Sequence, residues 1–93
     1  MRSPTSNPIS PTDPAALALD ALAWIMSDDA RAVRFLDLTG LTPDALRAGL
    51  QDQATHRAVL GFLEAYEPDL VSYAEARQID PSQIPAAARK LDA

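Results

Sequence analysis

Between Leu36 and Arg47 the chain reads Leu-Asp-Leu-Thr-Gly-Leu-Thr-Pro-Asp-Ala-Leu-Arg, which specifies a helix end, a turn and a new helix start within twelve residues. Gly40 can take the left-handed conformation that closes a helix without steric cost. Thr42 offers a side-chain oxygen to the unpaired amides of the next helix, and Pro43 falls at its first position, where a missing N–H costs nothing. Leu41 and Leu46 have the spacing of a hydrophobic staple that fixes the entry angle. The structural corner is therefore Gly40, Leu41, Thr42, Pro43 and Leu46, and a chain that turns this way is committed to short, closely connected helices.

The rest of the chain repeats the same vocabulary. Asp13-Pro14 reads as a cap followed by proline at the first helical turn, opening a helix to about Met26. In it Leu17, Leu19, Leu22, Trp24, Ile25 and Met26 wrap most of the circumference, leaving Ala16, Asp20, Ala23 and Ser27 as a narrow small or polar stripe. Such a helix is central or lies at a subunit interface. Ser27-Asp28-Asp29 opens a second helix through Ala30, Val33, Phe35, Leu36 and Leu38 to Gly40. A short third helix runs from Pro43 to about Leu50. Ala54 to Tyr66 forms a fourth, with Val59, Leu60, Phe62, Leu63 and Tyr66 inward and His56, Arg57 and Glu64 towards water. Glu67-Pro68 repeats the cap-plus-proline start for a fifth helix, with Glu67 as the cap, presenting Leu70, Val71, Tyr73 and Ala74. A last helix opens at Pro81 and reaches about Leu91, but Pro85 cannot donate an interior amide, so either Pro81 to Ile84 forms a separate tight turn or the helix begins at Pro85.

Displacing the chain against itself by 38 residues places Leu22 on Leu60, Trp24 on Phe62, Ile25 on Leu63, Asp29 on Glu67, Val33 on Val71 and Phe35 on Tyr73. The corner recurs in the same register, with Leu41, Pro43 and Leu46 on Ile79, Pro81 and Ile84. The expected fold class is all-α: a compact bundle of about five to six short helices, with two similar three-helix halves as its internal plan.

Composition bounds the chemistry. Ninety-three residues with 47% hydrophobic content suit one small domain, expected over 13–92. Residues 1–12, rich in Pro, Ser and Thr, read as a disordered tail. There is no cysteine and a single histidine, so neither a disulfide nor a zinc site is expected. A net charge of −5 opposes general attraction to nucleic acid. Nothing resembles a secretory signal or a membrane span, and a cytoplasmic location is the default.

Individual residues have bland and sharp readings. His56 reads as a surface histidine. Asp28 and Asp29, like Glu67 and Asp69, sit in first helical turns, where capping and the helix dipole already explain them. No catalytic, cofactor-binding or metal-ligating set is expected. Asp20 interrupts the most apolar helix, and if buried it needs a partner such as Arg31 or Arg34. Leu19, Trp24 and Phe62 are the candidate interface residues. Residues 33–50 also have the outline of a helix-turn-helix, but Pro43 to Leu50 offers base edges only Asp44 and Arg47, and Leu36 is large where such motifs keep a small residue.

The run Leu19-Asp20-Ala21-Leu22-Ala23-Trp24-Ile25, with Arg34-Phe35-Leu36, Thr39-Gly40-Leu41-Thr42-Pro43 and Leu46-Arg47, resembles a family of small bacterial proteins of unknown function, about ninety residues long and found mainly in alphaproteobacteria. The likeness continues more loosely through Val59-Leu60-Gly61-Phe62-Leu63 and covers about residues 17–91. It departs at Gln78-Ile79, where a Gly-Leu pair is expected, leaving the second corner without a closing glycine. The resemblance implies a helical cytoplasmic domain and carries no catalytic residues.

The leading expectation is a non-enzymatic helical interaction or regulatory module without cofactor, whose partner is another protein or a second copy in a homodimer. A helix-turn-helix DNA-binding regulator is the alternative, and a small enzyme ranks below both.

Overall fold

In a computed structural model that describes residues 13–92, the chain forms six helices and no strand. They are α1 (Pro14–Met26), α2 (Asp29–Thr39), α3 (Pro43–Ala48), α4 (Gln53–Ala65), α5 (Glu67–Arg77) and α6 (Gln83–Asp92). The tail expected over 1–12 lies outside the described residues.

The first three starts are capped as their residue types dictate. Asp13 accepts from the amides of Ala15 and Ala16, Asp28 from that of Arg31 at 2.9 Å, and Thr42 from that of Ala45 at 3.0 Å. Gly40 ends α2 at φ 74°, its N–H returning to Leu36 O at 2.9 Å. Thr39 adds a bond to the corner by donating to Phe35 O while accepting from the Leu41 amide. α3 is shorter than expected because it closes at Gly49. A Cβ there would lie 2.9 Å from Thr55 Oγ1, so the close approach of the α3–α4 turn to α4 requires glycine.

α4 is the hub, packing against α1, α2, α5 and α6. One core joins Leu17, Leu22 and Ile25 of α1, Phe35 of α2, Leu46 of α3, Val59, Leu60 and Leu63 of α4, Tyr73 of α5, and Ile84 and Leu91 of α6. The 38-residue displacement is visible in the elements, since adding 38 to the bounds of α2 gives 67–77, the bounds of α5. It also relates the aromatic contacts. Phe35 meets Phe62 edge to face at 5.3 Å between centroids, and Trp24 meets Tyr73 in the same manner at 5.6 Å. Trp24 corresponds to Phe62 and Phe35 to Tyr73, so each half's second-helix ring docks on the other half's first helix.

The halves diverge at their third helices. α3 contributes Leu46, whereas α6 lays Ile84, Ala87 and Leu91 against α4 and α1. α6 begins at neither expected proline. Asp80 Oδ1 accepts from both the amide and the hydroxyl of Ser82, forming a turn over Pro81 and Ser82, and the helix starts at Gln83. Pro85 then falls in the first turn, where no intrahelical donor is needed. The start of α5 also differs from expectation. Its cap position is Tyr66, with Glu67 already helical, and no side chain caps it.

Four expected orientations are corrected. Tyr66, expected inward with the apolar residues of α4, is 51% exposed at the α4–α5 junction. His56 is 4% exposed rather than facing water, because its Nε2 donates to Leu50 O at 2.7 Å and ties the turn after α3 onto α4. Val33 and Leu38 belong to the apolar series of α2 yet lie 58% and 69% exposed, since α2 buries Phe35 alone.

Candidate functional site

Asp20 occupies the polar stripe of α1 and faces α5. Tyr73, fully buried, donates its hydroxyl to Asp20 Oδ2 at 2.6 Å, and Arg77, one turn further along α5, donates Nε to the same oxygen at 2.6 Å. The partner of Asp20 is therefore Arg77, supported by Tyr73, and neither Arg31 nor Arg34 as the sequence suggested. Those two arginines are used elsewhere. Arg31 lies 3.6 Å from the ring centre of Trp24 and donates to Trp24 O and to Ser27 Oγ. Arg34 pairs with Asp69 of α5 and extends over the rings of Phe62 and Tyr66.

Burial first, then the Asp20 carboxylate, pushes the Tyr73 hydroxyl well above the ordinary tyrosine range. The Asp20 carboxylate in turn raises the Arg77 guanidinium above its usual value. Tyr73 keeps its proton and Arg77 its charge, so the cluster has the chemistry of a tether: two donors converging on one anionic oxygen. Asp28 caps α2, and Asp69 is engaged by Arg34.

The candidate interface residues are dispersed in burial. Leu19 and Trp24 are partly buried, while Phe62 is 5% exposed with its ring against Phe35. In this conformation Phe62 is a core residue. The large apolar side chains that do reach the surface are Val33, Leu38, Tyr66 and, marginally, Met26. At the corner, Leu41 packs on the core beside buried Leu46. There Thr39, Leu41, Ala54, Thr55 and Ala58 line an open depression of about 210 Å³, below the size of an ordinary small-molecule site. Among the described residues no group of three His, Asp or Glu is placed to hold a metal ion, and no helix is long and apolar enough to cross a membrane.

A family model described as a protein of unknown function, DUF3572, matches residues 11–93. The chain belongs to this family. No curated protein and no solved structure matches it. In this DUF3572 chain the Asp20–Tyr73–Arg77 cluster went unseen in sequence because Asp20 lies more than 50 residues from both Tyr73 and Arg77. The only available signal was one carboxylate in an otherwise apolar helix.

Proposed function

We propose that this chain is a non-enzymatic helical interaction or regulatory module acting in the cytoplasm, with a protein partner or a second copy as its target. The observation that carries the reading is the exposure of large apolar side chains on α2 and at the end of α4. Val33, Leu38 and Tyr66 stand more than half exposed in a domain small enough to need its apolar side chains inside. Arg34, held by Asp69 and lying over Tyr66, places a cation beside that ring, and arginine with aromatic residues is favoured in contact surfaces. The DNA-binding alternative has less support. α3 has six residues, and its Arg47 is paired with Asp44 on the helix itself.

The test is light scattering together with affinity capture from nuclease-treated lysate of the source organism, using the wild type and a Val33→Glu, Leu38→Glu double variant. A specific partner or a dimer lost in the variant supports the reading. A monomer that recovers no specific protein overturns it. A nucleic-acid shift abolished by Arg47→Glu would transfer support to the alternative.

A further inference from the structure

α5 is more lightly anchored than α1, α4 and α6, each of which buries more side chains. It buries only Tyr73 and Ala74 completely, with Leu70 partly covered. Its start has no side-chain cap, and a single extended residue, Tyr66 at φ −141° and ψ 98°, separates it from α4. Its end closes on Gln78 in the left-handed region at φ 58°, a conformation that costs any residue with a Cβ. Beside the buried Tyr73 ring and Ala74, the contacts that hold α5 down are polar. Asp69 pairs with Arg34 of α2, and Tyr73 and Arg77 both depend on one oxygen of Asp20 in α1. By contrast α1 and α4 supply most of the core, and α6 is seated on both of them.

We infer that α5 is a hinged flap: it opens as a unit about Tyr66 and Gln78 while α1, α4 and α6 stay folded, with the Asp20 carboxylate as its latch. Tyr66 is the one non-helical residue between α4 and α5, Gln78 opens the non-helical stretch 78–82 before α6, and opening relieves the strain at Gln78. The chain on either side of the flap is anchored, by α4 before it and α6 after it. Loss of one carboxylate releases two of the polar bonds at once. Opening lifts the Tyr73 ring from Trp24 and uncovers that side of the indole. The closed domain hides this apolar surface and the open one presents it.

Native-state hydrogen exchange across low denaturant concentrations tests the flap. In the wild type, amides of residues 67–77 should exchange at least about tenfold faster than the slowest amides of α1 and α4, with weak denaturant dependence. Asp20→Ala, a favourable helix residue in α1, should accelerate α5 exchange about tenfold or more. Leu91→Val, at the far end of α6, should accelerate α1, α4 and α6 while leaving α5 unchanged, because its contacts persist in the open state. If α5 follows α4 in rate, denaturant dependence and response to Leu91→Val, the domain opens only as a whole and the flap is overturned. The wild-type and Leu91→Val data decide the matter even if Asp20→Ala does not fold.

Discussion

Gly40 and Gln78, separated by 38 residues, occupy the same left-handed position at the ends of α2 and α5. The second half thus has the geometry of the corner without the glycine that makes it free. The Ile79 amide reaching back to Ala74 O at 3.0 Å over-determines the conformation that Gln78 must adopt.

The two positions form a matched pair of tests. Gln78→Gly should stabilise the domain by about 1 kcal/mol, raising the melting temperature by roughly 4–8 °C. Gly40→Ala should destabilise it by about 1–2 kcal/mol, and the whole cost is conformational, since an added Cβ meets nothing within 4 Å. Thermal unfolding by circular dichroism measures both, and equal signs would refute the assignment.

Tyr73→Phe removes one donor from Asp20 and should cost about 1–2 kcal/mol, with urea midpoints as the measure. The same residue sets a pH dependence. The folded pKa of Tyr73 lies above its ordinary value of 10.0, so the unfolded chain loses this proton first. The contribution is complete below about pH 10 and is lost as the pH rises from there through the raised value. Unfolding midpoints followed from pH 9 upward should fall more steeply in the wild type than in Tyr73→Phe.

His56→Ala should cost about 1–3 kcal/mol, because it strands the Leu50 carbonyl and empties a buried site. A surface histidine at the same position would change stability by less than about 0.5 kcal/mol, so chemical denaturation separates the two cases.

Val33→Glu and Leu38→Glu should each leave the unfolding midpoint within about 0.5 kcal/mol of the wild type. Both side chains are exposed, so any loss of a partner or of self-association in these variants reports on contact rather than on folding.

Much of the architecture was legible because it is written in local chemistry. Asp13-Pro14, Asp28, Gly40 and Thr42-Pro43 set helix boundaries through bonds to amides two to four residues away. The 38-residue recurrence was readable for the same reason: it repeats those local devices along with the apolar positions of Leu60, Leu63 and Tyr73. What remained illegible was direction. Whether His56 or Val33 points inward depends on which neighbour covers its helix face, and periodicity alone does not supply that.

By itself, then, the sequence determined an all-helical chain of short segments, the caps of α1, α2 and α3, and the correspondence between its halves, because the forces responsible act within a turn or two of chain. Only the tertiary structure decided that Asp20 takes Arg77 and Tyr73 as partners, that Phe62 is covered by Phe35, and that α6 rather than α3 completes the core. Those choices join residues tens of positions apart. They follow from how the two halves cross over α4, which is settled by packing the whole core at once and not by any one segment.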